Sequence, residues 1–189
     1  MNCSGPRIPR ALALAAAICS IGATSYTAGA ATPSASAAGG PPPCWSGPAA
    51  HSSRTFDLPG RKPTTTLYAD VCADRSGEAV RGAVDIYWQI DDDRVQDNGK
   101  RFTSVRITSR LERRTGASGA DQVVATRTCD VTDRLNKDYS SAVALSCTTP
   151  WTGYDPAYRW SGDATVTVDI EGDGKGPVTW ELPGSPLTT

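Results

Sequence analysis

One histidine, four cysteines and a few clustered carboxylates are the residues with which this chain could do covalent or metal chemistry. The histidine is His51. A Ser-His-Asp triad would need that imidazole held by a carboxylate and set beside an activated serine. His51 lies in a Pro/Ser-rich stretch, and no G-x-S-x-G sequence exists to present a nucleophile. It reads as a solvated loop residue. Cys3 and Cys19 fall in the N-terminal extension, which leaves Cys44, Cys72, Cys129 and Cys147. A zinc site usually shows a C-x-x-C pair, and none is present. An even set in an exported domain reads instead as two disulfides, and a bridged sulfur cannot attack.

Carboxylates give the remaining catalytic option. Asp91, Asp92 and Asp93, followed by Asp97-Asn98-Gly99, form the most acidic stretch. Oxygen ligands of this kind suit calcium, but Val95 and Asn98 occupy positions where the calcium loop needs an acid and a glycine. The stretch reads as a solvated turn, and neither metal nor cofactor is expected. Nor do the acids and glycines of Glu171-Gly172-Asp173-Gly174 need more than turn geometry to explain them. A glycosidase would need two carboxylates at a fixed separation, and the domain reads as too small for a deep cleft.

Binding chemistry has better material. Trp151, Tyr154, Tyr158 and Trp160 crowd a segment interrupted by Pro150, Gly153 and Pro156. As a loop, it would offer rings to a sugar face or a protein partner. The competing reading starts the next strand at Tyr158 and Trp160 and packs them against the core edge. Arg106, Arg110 and Arg114 share one strand phase and could meet an anionic polymer, although Glu112 among them fits an ordinary solvated face.

The elements that must hold these residues begin with an export signal. Arg7 and Arg10 precede an apolar run from Ala11 to Ala23, and Ala28-Gly29-Ala30 supplies the small residues that signal peptidase accepts. Residues 1–30 are therefore expected to be removed after Ala30, with a cut after Ala37 as the alternative. Ile18 before Cys19 argues against a lipid anchor. No later apolar run is long enough to span a bilayer, so the product should be secreted without a membrane span. Residues 31–63 are Ala-, Gly- and Pro-rich and read as a disordered leader followed by an irregular segment. The formal net charge over 189 residues is -1. That argues against a nucleic-acid binder, which needs a basic surface to displace counterions.

Residues 64–186 alternate between apolar and polar at two-residue steps, the signature of strands with one dry face. Val84, Ile86, Trp88 and Ile90 share one phase; so do Val105, Ile107 and Leu111, then Val123, Ala125 and Cys129. Three hairpins follow. One pairs Leu111 with Val123, a second pairs Cys129 with Cys147, and a third pairs Val168 with Trp180. The second favours a Cys129–Cys147 bridge, which leaves Cys44–Cys72. About seven strands and no helical periodicity predict an antiparallel β-sandwich.

The runs Val71-Cys72-Ala73-Asp74-Arg75, Arg127-Thr128-Cys129-Asp130 and Trp180-Glu181-Leu182-Pro183-Gly184-Ser185-Pro186 resemble a group of actinobacterial secreted β-rich proteins without an assigned function. That resemblance spans Leu67 to Pro186 and implies export, but it transfers no active site. The expectation is a non-enzymatic secreted protein with a protein or glycan partner. A protease inhibitor using the loop from Pro150 to Pro156, or a carbohydrate-binding module, is the alternative.

Overall fold

The computed structural model describes residues 36–37, 43–45, 47–90, 99–138, 140 and 144–189. The expected signal peptide and the acidic stretch 91–98 lie outside the described residues. The described chain forms β1 (Ser36–Ala37), a 3-10 turn (Pro43–Trp45), β2 (Ala49–Phe56), β3 (Thr65–Ser76) and β4 (Ala79–Ile90). It continues through β5 (Phe102–Arg114), β6 (Gln122–Asp130), α1 (Thr132–Lys137), β7 (Leu145–Thr148), β8 (Thr152–Gly153), β9 (Arg159–Ile170) and β10 (Val178–Glu181).

These strands make two antiparallel sheets. One runs β1-β7-β4-β3-β2, with β8 also on β4; the other runs β10-β9-β5-β6. Side-chain alternation drives the two together, as expected for a sandwich. Leu67, Ala69 and Val71 of β3 and Val84, Ile86 and Trp88 of β4 meet Val105, Ile107, Val166 and Val168 from the opposite sheet. Burying each large aliphatic side chain contributes about 2 kcal/mol. An irregularity between Phe102 and Ser104 lets both Phe102 and Val105 reach the interior from one strand.

Both expected disulfides form, Cys44–Cys72 and Cys129–Cys147. The second arises differently from the sequence reading. Cys129 and Cys147 do not face each other in a hairpin: β6 belongs to one sheet and β7 to the other, so their bridge crosses the core. The six residues of α1 carry the chain across. Asn136 of α1 accepts hydrogen bonds from the N–H groups of Arg101 and Phe102, which ties this short helix to the start of β5.

Two hairpin registers also differ from expectation by two residues. Leu111 pairs with Ala125 rather than Val123, and Trp180 pairs with Val166 rather than Val168. A shift of two keeps side chains on their original face, so alternation alone cannot detect it. Beyond the irregularity between Leu111 and Glu112, however, Val123, expected on the dry face, lies opposite Glu112 and is exposed, and Val124 packs against the core instead. The segment read as irregular before Pro63 contains β2, paired along its whole length with β3. Arg127 sits mid-strand on β6, opposite Ser109.

At one end of the sandwich the sheets approach by backbone. A Cβ on Gly82 of β4 would overlap the Arg110 carbonyl of β5, and one on Gly162 of β9 would overlap the Cys72 carbonyl of β3. Gly162→Ala should therefore cost about 2–3 kcal/mol, because backbone cannot give way as a flexible side chain can. Gly153→Ala, where nothing lies within 4 Å, is the control and should cost far less. Urea unfolding of both variants checks this.

Candidate functional site

The aromatic segment is tied to the sheet rather than projecting as a loop. Val80 and Ala79 of β4 pair with Thr152 and Gly153 of β8, and the Tyr154 N–H donates to the Glu78 carbonyl at 2.8 Å. Trp160 on β9 is fully buried against Val80 and Leu111. Its Nε1–H donates to the Asp155 carbonyl at 3.0 Å. The Tyr154 and Tyr158 rings lie 6.2 Å and 6.4 Å from the Trp160 ring and are half-buried around it. Of the four predicted binding residues, Trp160 is thus core and only Trp151 is exposed, at 45%.

Each of the three outer rings carries a guanidinium on its face. Arg81 stands 4.3 Å from the centre of Trp151, Arg75 stands 3.7 Å from Tyr154, and Arg113 stands 4.4 Å from Tyr158. Such pairs contribute about 0.5–1 kcal/mol at exposed positions and hold the rings in fixed orientations. The arginines read as a possible polyanion site are engaged by acids instead. Arg106 meets Asp130 at 3.7 Å, Arg110 meets Asp163 at 2.8 Å, and Arg114 meets Asp121 at 2.6 Å.

A second constellation occupies the outer face of the β3–β4 pair. Leu67, Ala69 and Val71 point inward, which turns Tyr68, Asp70, Cys72 and Asp74 outward. On β4 the outward set opposite them is Tyr87, Asp85, Ala83 and Arg81. Tyr68 and Tyr87 stack with ring planes 9° apart and centroids 5.4 Å apart. The Tyr87 hydroxyl donates to Asp70 at 3.2 Å. His51, expected in a loop, lies on β2 and makes a 2.6 Å contact from Nδ1 to the Asp70 carboxylate. The pairing of β2 with β3 therefore gives His51 the carboxylate partner that a solvated loop would lack. Among the described residues Asp70 is the only hydrogen-bond partner of His51, and no serine hydroxyl reaches it.

Asp85, directly across from Asp70, is fully buried. Its two oxygens accept hydrogen bonds from the Ser146 hydroxyl at 2.6 Å and the Cys44 N–H at 2.9 Å. Burial pushes its carboxyl above the usual carboxylate range; these hydrogen bonds oppose the shift, and the charges of Asp70 and Asp74 add to it. Burial also raises the Tyr87 phenol, helped by the neighbouring Asp70 charge. Together His51, Ser52, Ser53, Tyr68, Asp70 and Tyr87 line a shallow hollow of about 260 Å³.

The 3-10 turn closes the far side of this face. Cys44 is bridged to Cys72 and packs on Ala83, and the adjacent Trp45 is 70% exposed. The next outward row along the strands, about 7 Å further at two residues per step, is Asp74 and Arg81, on which Trp151 rests. Of the two most exposed tryptophans of the described chain, one is thus beside Cys44 in sequence and the other on the row next to Cys72. Sequence reasoning missed this grouping because it depends on which residues of β2, β3 and β4 lie opposite one another. The alternation of Tyr68, Asp70, Cys72 and Asp74 with apolar neighbours was the available signal. Among the described residues no three His, Cys, Asp or Glu side chains converge as a metal set.

Two outcomes follow. Trp160→Ala should cost about 3–5 kcal/mol, while Trp151→Ala should cost less than about 1 kcal/mol, as read from denaturant unfolding. The raised carboxyl of Asp85 contributes stability at acid pH that is lost as pH rises through its folded-state value. Asp85→Asn removes that dependence. The variant's unfolding free energy relative to the parent should therefore shift in its favour between about pH 3.5 and about pH 7. An unchanged difference would contradict the burial argument. No protein-family model matches the chain, and no curated protein matches it.

Proposed function

We propose that the chain is a non-enzymatic secreted recognition protein that engages a macromolecular partner through the outer face of the β1-β7-β4-β3-β2 sheet. The observation behind this reading is the exposure of Trp45, next to the bridged Cys44, and of Trp151, held on Arg81 two residues along β4 from the Ala83 on which that bridge packs. Tryptophan, tyrosine and arginine are the residue types that dominate binding energy at protein interfaces, and here Arg81 stacks on Trp151 at the rim. Rings fixed before contact lose little conformational freedom on binding, so more of the contact energy becomes affinity. The export signal and the two disulfides fit an extracellular setting.

The inhibitor reading is less favoured by the geometry. An inhibitory loop has to project into a protease cleft, whereas residues 152–154 are hydrogen-bonded to β4 and to the turn before it.

Immobilised chain lacking residues 1–30 should retain a discrete partner from the supernatant or cell-wall fraction of the producing cells. Trp45→Ala and Trp151→Ala together should reduce that retention at least about tenfold, the scale of losing one or two interface anchors. Val178→Ala, on the other sheet, should leave it unchanged. Equal retention by the parent and the tryptophan variant would remove this reading.

A further inference from the structure

The hollow beside His51 differs in chemistry from the tryptophan rim, and its lining specifies a ligand. Three features converge there. Tyr68 and Tyr87, stacked on one another across adjacent strands, both border the hollow and offer it aromatic surface. Asp70 is a carboxylate acceptor held in place by the Tyr87 hydroxyl and the His51 imidazole. His51 is 72% exposed and uses Nδ1 on Asp70, which leaves Nε2 and the hydroxyl of Ser53, on the same face of β2, to face a ligand.

Charge narrows the choice. Asp70 and Asp85 lie opposite one another, Asp74 follows beyond Cys72 on the same face, and Arg81 is already engaged by Asp74. Among the described residues no lysine or arginine lines the hollow. Phosphates, sulfates and uronates would therefore meet a negative site without a fixed cationic partner. Size narrows it again: about 260 Å³ lies below the roughly 300–1,000 Å³ of pockets that take drug-sized molecules, so one small ring fits. A ligand with one apolar face, a rim of hydroxyls and no negative charge satisfies all three conditions. From this we infer that the hollow binds a single neutral pyranose unit, its C–H face against the aromatic surface of the Tyr68–Tyr87 stack and its hydroxyls hydrogen-bonded to His51 and Ser53. The site lies at the opposite end of the outer face from Trp151 and does not depend on the tryptophan rim.

The test is NMR titration of the chain lacking residues 1–30 with the methyl glycosides of glucose, galactose, mannose and N-acetylglucosamine. At least one should shift the Tyr68 and Tyr87 ring signals saturably, with a dissociation constant on the order of 1 mM, as expected for a ligand of this size. His51→Ala, at an exposed position, and Tyr68→Ala should each weaken that binding at least about fivefold. Tyr68→Phe, which keeps the ring, should weaken it less than Tyr68→Ala, and circular dichroism will show that each variant is folded. Trp151→Ala should bind the sugar as the parent does, which separates failure at this site from failure at the tryptophan rim. Glucuronate should bind more weakly than glucose. Absence of ring shifts with all four glycosides at about 50 mM, more than tenfold above the expected constant, would overturn the inference. So would unchanged affinity in both His51→Ala and Tyr68→Ala, or preference for glucuronate.

Discussion

Two backbone contacts determine how closely the sheets can lie. At Gly82 the β4 chain rests on the Arg110 carbonyl of β5, and at Gly162 the β9 chain rests on the Cys72 carbonyl of β3. With no side chain between them, the layers converge at that end, and elsewhere Leu67, Ile86, Ile107 and Val166 fill the gap. The Cys129–Cys147 bridge then joins the layers through the interior. Because Cys72 supplies both a carbonyl to the close approach and a sulfur to the outer bridge, the inner and outer faces of β3 are fixed by the same residue.

That rigidity explains how an outer face can hold groups that would otherwise rearrange. Asp85 is buried at the sheet surface because the turn from Pro43 to Trp45 is tied down over it and supplies a donor. The tyrosine stack and the His51–Asp70 contact sit on strands whose register is fixed along twelve paired positions of β3 and β4. The recognition surface is thus arranged by the sheet before any partner arrives.

Alternation in the sequence was sufficient for the strand class and for the dry face of β4 and β5; it also led to both cysteine pairs, although Cys129 and Cys147 meet across the core and not in the hairpin it assumed. It failed where geometry depends on contacts distant along the chain. The β5–β6 and β9–β10 registers slipped by two because inside and outside residues stay the same under that shift. Strand β2 was hidden because Ala49 to Thr55 offers only small or polar side chains, as an edge strand with little to bury would. His51 was misplaced with it, and the meeting of His51, Asp70 and Tyr87 could not be read without that strand. Conversely, Trp160 was offered as a binding residue, although its position two steps ahead of the alternating Gly162, Ala164 and Val166 already pointed inward.

The amide of Cys44 that caps Asp85 is held there by sulfur. Breaking that link removes the tether of the turn, and a carboxylate reached by water holds its proton less tightly. The oxidation state of the bridge and the affinity of Asp85 for a proton are therefore coupled: a change in either must be felt by the other.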